Sequence, residues 1–285
     1  MSKLMPFLTG FTVKPLFISE LGFVTFTDGT NNVQPNQTQC EAYGYTYNKA
    51  DGTCSMFRFN TNLNRGFSNE NNKTYGAGNS TETGTNNTLI MGESNSVKGF
   101  SRNSIITGSN NEIANSVNNA NVSGTKGEAT ADNSIVLGGN ADTDFLGKRQ
   151  SIQLLYGVQT VTSGTVDSYL NNVTDSYFEI PINTVMYFHA DIVAVRVGGT
   201  GAGLLGDYAS FVERGVILNR GGTLSINRER DAIKSNGTVT LWRPTSAVDG
   251  THFLIDIRGA ANVTIEWSAT ITFTQIKTGV PLINP

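Results

Sequence analysis

Charge is scarce in this sequence: Asp, Glu, Lys and Arg together make up 15% of 285 residues, and the net charge is -3. The Lys and Arg residues are scattered, so no basic stripe exists to pair with phosphates, and nucleic acid is not an expected partner. Histidine is scarcer still. His189 and His252 are too few for a histidine-rich metal site, and no His-x-Glu or Cys-x-x-Cys spacing occurs, so neither a metal nor another cofactor is expected. Long apolar runs are missing too. Met1 to Gly10 holds one lysine and no stretch of signal-peptide length, and nothing later approaches the roughly 18 to 20 apolar residues of a membrane span. The expectation is a soluble chain made in a cytoplasm, with no membrane partner. Cysteine is limited to Cys40 and Cys54, far below the density of a secreted disulfide scaffold. Their spacing allows a loop-closing disulfide, but free thiols are the expectation.

What the chain has in quantity is Gly, at 31 residues, with much Asn, Ser and Thr. These are residues of turns and strands, so helix should be scarce. Three zones differ in texture. In residues 1–66, Phe11-Thr12-Val13 and Phe23-Val24-Thr25-Phe26 alternate before Asp28-Gly29, which predicts strand then turn. Tyr43 to Tyr47 and Met56 to Phe59 flank Asn48 to Gly52 as a second expected hairpin. In residues 146–285, strands are expected at Ile152 to Tyr156, Tyr177 to Ile180, Val185 to Val197, Ala209 to Leu218, Leu224 to Asn227, Thr238 to Trp242, Phe253 to Ile257 and Val263 to Phe273. Their number and punctuation suggest a jelly-roll-like β-sandwich.

Residues 67–145 repeat. Asn87-Thr88-Leu89-Ile90-Met91-Gly92 aligns with Asn103 to Gly108, Asn119 to Gly124 and Asn133 to Gly138, and Gly78 is read as extending the series upstream. Ile90, Ile106, Val122 and Val136 stand two residues before the glycines, with Val97 and Ile113 five residues after the first two. A period this short fits one coil of a narrow β-roll. So thin a coil buries little, so these six residues are expected to form the core of a structure that packs several chains about one axis.

The Asn-Ser-Ile-Val-Leu-Gly unit of residues 133–138, and its companions over roughly 74 to 142, resemble the head repeats of trimeric autotransporter adhesins. That resemblance implies a left-handed parallel β-roll in a tight homotrimer. Asn121 departs from the apolar pattern, and no signal peptide or membrane-anchor barrel accompanies the repeats, so a phage fiber, which uses such repeats without secretion, is the better context. Glu179-Ile180-Pro181-Ile182-Asn183-Thr184, Glu213-Arg214-Gly215 and Ile255-Asp256-Ile257-Arg258-Gly259 resemble a β-sandwich that closes phage fiber proteins, which implies a distal trimeric module.

Candidate chemistry is thin. Asp142 and Asp144 are the nearest acid pair for a glycosidase, but Lys148 and Arg149 follow them, and a solvated neck with charge pairing between chains is the more ordinary explanation. Glu229 and Asp231 alternate with arginines and read as surface, and Gly198 to Gly203 reads as a flexible inter-strand loop. No catalytic residue is assigned. The expectation is therefore a non-enzymatic, all-β virion protein assembled in the host cytoplasm: a homotrimeric tail fiber or spike, with 1–66 attaching to other virion proteins, 67–145 as shaft and 146–285 meeting a host cell-surface glycan. The alternatives are a head fiber or capsid decoration protein and, further off, a glycan-degrading tailspike.

Overall fold

The computed structural model describes residues 13–19, 22–49, 51–56, 71–236 and 239–282. It is nearly all β and divides into two units, Met1–Ser68 and Asn69–Pro285.

In the first unit β1 (Lys14–Ile18), β2 (Val24–Thr27) and β3 (Asn32–Val33) form an antiparallel sheet. A short helix, α1 (Gln37–Ala42), follows; the Asn36 side chain accepts from the Gln39 N–H and the Gln39 side chain accepts from the Asn36 N–H, closing a capping box. β4 (Thr46–Asn48) and β5 (Thr53–Ser55) make the second hairpin, later than the Tyr43 start expected for it. Phe11, Thr12 and Phe57 to Phe59 lie outside the described residues. Cys40 on α1 and Cys54 on β5 are buried and joined by a disulfide, so free thiols were the wrong expectation. With Val24 and Phe26 they form the small core, and Tyr43 and Tyr45 meet the Phe26 ring edge-on at 5.8 and 6.2 Å.

The second unit opens with a parallel β-solenoid of about four turns. Its coils are β6 (Lys73–Tyr75) with β7 (Ser80–Thr81), β8 (Leu89–Glu93) with β9 (Ser96–Val97), β10 (Ile105–Ser109) with β11 (Glu112–Ile113) and β12 (Asn121–Thr125) with β13 (Glu128–Ala129), closed by β14 (Ile135–Gly139). Register stacks Ile90 on Ile106 on Val122 on Val136, and Val97 on Ile113 on Ala129, all buried inside the coil. Gly92, Gly108, Gly124 and Gly138 form a column whose upstream member is Gly76 rather than Gly78: β6 pairs Tyr75 with Met91, and a Cβ on Gly76 would stand 1.9 Å from the Gly92 carbonyl oxygen. Thr74 and Thr81 stand at the register positions of Ile90 and Val97 in that first coil, Thr74 exposed at its open end, and their polarity is what hid its register. An asparagine ladder completes the interior. Asn95 Nδ2 donates to Asn79 Oδ1 at 3.0 Å and Asn111 Nδ2 to Asn95 Oδ1 at 3.1 Å, while the same amides reach the Gly108 and Gly124 carbonyls at 2.9 Å.

From β14 the sheet continues without a break. β15 (Arg149–Thr160) pairs antiparallel with β14, and the sheet order β20-β19-β18-β23-β15-β14-β12-β10-β8-β6 runs from head to solenoid; here β18 is Thr184–Gly199, β19 Tyr208–Arg220, β20 Thr223–Ser235 and β23 Val263–Lys277. The head's second layer is β16 (Thr165–Leu170), β17 (Phe178–Glu179), β21 (Arg243–Asp249) and β22 (His252–Arg258), with β16 and β17 on one edge of β22 and β21 on the other. Phe178, Phe188, Phe253 and Phe273 pack between the layers, with centroids 5.1 to 5.4 Å apart. The buried Tyr156 hydroxyl ties the layers, donating to the Phe253 carbonyl at 3.1 Å and accepting from the Phe178 N–H at 2.9 Å. This two-layered antiparallel arrangement is compatible with the expected sandwich. Two local expectations fail: Val239–Leu241 is a 3-10 turn rather than strand, and β16 and β21 lie where none was expected.

Candidate functional site

The outward face of the second layer gathers polar chemistry that the strand register dictates. Along β22, Phe253, Ile255 and Ile257 point into the core, so His252, Asp256 and Arg258 point out. β16 buries Ser168 and Leu170 and turns Thr165, Asp167 and Tyr169 outward, while β21 turns Arg243 and Thr245 outward. Pairing then sets two adjacent rows. Asp167 faces Asp256, which faces Thr245; Thr165 faces Arg258, which faces Arg243.

Directly opposed antiparallel residues have Cβ atoms about 4.5 to 5.5 Å apart, so two carboxylates share one small region. Burial, and then the neighbouring Asp167 charge, push the Asp256 carboxyl above the ordinary range. The Tyr177 hydroxyl donates to Asp167 Oδ2 at 3.2 Å. Desolvation, and then the Asp167 charge, push that phenol up to about 12, so it remains a donor at any physiological pH. Tyr177 also lies 5.7 Å from the Tyr169 ring and 5.7 Å from the His252 ring. An aromatic strip therefore borders the acid row on one side and the arginine row borders it on the other, where Thr165, Arg243, Thr245, Asp256 and Arg258 line a recess of about 200 Å³. Such a face can accept hydrogen bonds from hydroxyls, stack a flat apolar ring face and hold an anion.

The residues singled out from sequence fall elsewhere. Ile90, Ile106, Val122 and Val136 in one stack and Val97 and Ile113 in a second come together inside the solenoid of a single chain. Asp144 is held by Lys148 and Arg149 of its own chain, and the Lys148 hydrogen bond pulls its carboxyl below the usual range, so the neck's charge pairing is intramolecular. Glu229 and Asp231 pair with Arg214 at 3.4 and 3.6 Å on the outer surface, as a solvated run does. The Gly198 to Gly203 loop is pinned rather than free: the buried Arg196 guanidinium donates to the carbonyls of Gly198, Gly199, Gly201 and Ala202 at 2.8 to 3.1 Å. His189 is a surface residue 3.2 Å from Asp191. The Asp167 and Asp256 pair went unread because the partners are 89 positions apart, although the alternation in His252 to Arg258 already put His252, Asp256 and Arg258 on one face.

No family model matches the chain, and no curated protein matches it. Among solved structures it is similar to the tailspike protein of Acinetobacter baumannii phage AM24, with a TM-score of 0.31 and 11% identity over 74% of this chain and 49% of that one. It is similar also to tailspike gp49 of Acinetobacter baumannii bacteriophage Fri1, a capsular polysaccharide depolymerase, at TM-score 0.23 and 8% identity over 72% and 48%, and to the tailspike of Acinetobacter phage vB_ApiP_P1 at 0.22 and 10% over 71% and 46%. The chain spans about half the length of each. With a depolymerase among these neighbours, the expectation that the chain has no enzymatic activity does not stand.

Proposed function

We propose that the chain is a spike of a phage particle that engages a host cell-surface glycan through the outward face of its second head layer. The observation that carries this reading is the juxtaposition of the Asp167 and Asp256 carboxylates, the Tyr169, Tyr177 and His252 rings and the Arg243 and Arg258 guanidiniums on a head built into the same sheet as a rigid solenoid. Carboxylates accept from sugar hydroxyls, tyrosine faces stack on the C–H faces of pyranose rings, and a rigid shaft holds the face away from the particle. Residues 1–66 are the segment we assign to the virion, and three copies about one axis raise the effective concentration of weak sites. A head-bound fiber with the same glycan contact is the variant of this reading. It is tested by adsorption of particles to host cells in competition with the purified chain: competition lost in Tyr177→Ala and Asp167→Asn is the expected result, and full competition by both variants would refute it.

A second reading, cleavage, is favoured by the opposed carboxylates. Glycoside hydrolysis needs one carboxyl group that keeps its proton to protonate the leaving oxygen and a second that acts as base or nucleophile. The raised Asp256 fits the first role and Asp167 the second. Release of reducing ends from host polysaccharide, abolished in Asp256→Asn, is the expected outcome. Binding without release would leave attachment as the function.

A further inference from the structure

The arginine row carries an inference that rests on the glycan reading and narrows its ligand. Arg243 and Arg258 are direct cross-strand partners, an arrangement in which like charges repel. Among the described residues neither forms an ion pair, whereas Arg149 and Arg214 of the same unit both do. Asp256, one row away, closes no ion pair with either arginine. Arg258 is instead aimed, its Nε donating to the Ser163 carbonyl at 3.2 Å, which leaves its terminal nitrogens for another acceptor. Arg230 adds to the same flank, donating to the Pro244 carbonyl at 2.8 Å on the strand that bears Arg243. Two opposed guanidiniums at the rim of a recess of about 200 Å³, with no acid among the described residues bound to them, form a fork for an anion.

We infer that this face takes an acidic saccharide, with the anionic group, a sugar carboxylate or a phosphate ester, held between Arg243 and Arg258 while the ring hydroxyls meet Asp256 and Asp167. The order of the rows makes the two demands compatible. A neutral polyol stretch lies along the carboxylates and Tyr177, and the charge lies one strand position further, beyond the acid row. A free inorganic anion gains only the fork; a saccharide gains the carboxylates and the aromatic strip as well.

The test is titration calorimetry of the full chain with tetrasaccharides bearing one glucuronate, one sialate or one phosphate ester, each beside its carboxyl-reduced or dephosphorylated counterpart. At least one acidic member should bind about tenfold or more tightly than its neutral counterpart, as expected for loss of a charge-assisted pair. Arg243→Gln and Arg258→Gln should each bring the affinity of the acidic form down to that of the neutral form measured with the same variant, so that the margin between them is lost. Both arginines are exposed, so the variants should melt as the parent does, and the ligand comparison stands without any variant. Equal binding of acidic and neutral partners, or a margin that survives both substitutions, overturns the inference and leaves glycan attachment intact. Failure of every saccharide, acidic or neutral, to bind counts against both.

Discussion

At the scale of single residues, the fold tolerates one carboxylate placed against its own stability. Asp256 is partly buried and faces a second acid, and burial, then the Asp167 charge, holds its pKa above the ordinary aspartate value. A group whose folded pKa is raised contributes stability while protonated and loses it as pH rises through that value. Asp256→Asn should therefore raise the melting temperature at neutral pH, and the gain should vanish below pH 3.8, where the parent carboxyl is protonated; melting curves over pH 3 to 8 check this, and a variant less stable than the parent at pH 7 refutes it. Asn111 is the opposite case, a buried side chain with every polar atom used. Its Oδ1 accepts from the Gly127 N–H at 2.8 Å and its Nδ2 donates to the Asn95 Oδ1 and the Gly124 carbonyl. Asn111→Ala strands these partners in a dry interior, and stability should fall by about 1 to 3 kcal/mol by denaturant titration.

At the scale of elements, the disulfide and the coils differ in how they hold. Cys40 and Cys54 close a 14-residue separation between α1 and β5, and a closed loop of about 15 residues is worth about 3 kcal/mol, mainly by restricting the unfolded chain. Reductant should lower the melting transition of the Met1–Ser68 unit and leave that of Asn69–Pro285 unmoved, as read by differential scanning calorimetry; one transition that shifts as a whole would refute it. The coils were legible in sequence because β-branched residues recur at one inward position, and β23 because its apolar residues alternate. β21 was not, because Pro244, Ser246 and Val248 form its inward set and a strand with proline and serine inside lacks the expected contrast. β16 hid likewise behind the inward Ser168. The disulfide escaped because composition speaks to the usual state of cysteines and not to the proximity of two particular ones. The candidate site needed both unread strands, and so could not be assembled from sequence.

At the scale of the whole molecule, the outer face of the sheet that runs from β6 to β20 carries exposed apolar side chains among polar ones, Thr107, Asn121 and Ser123 on the solenoid and Thr270, Thr272 and Thr274 of β23 on the head. Met91, Ile105, Ile135 and Leu137 on the solenoid, and Leu155, Tyr187, Val193, Val216 and Ile276 on the head, are all exposed and all on that face. The sheet register keeps them in one band: Ile135 sits opposite Gln153, two residues before Leu155, and Tyr187 opposite Val216. Large apolar side chains exposed together on one sheet face fit an association site. The homotrimer we propose meets along this band, with Ile90, Ile106, Val122, Val136, Val97 and Ile113 forming the layer behind it rather than the contact. Light scattering of the purified chain should give a mass of about three times 30.6 kDa. Ile135→Asp with Leu137→Asp should reduce that mass to one chain while β-sheet content by circular dichroism persists, because both side chains point away from the coil interior that Val136 fills. A folded parent of one chain's mass would remove the trimer and with it the avidity argument for weak glycan sites, whereas a trimer insensitive to both substitutions would move the contact off the solenoid part of the band.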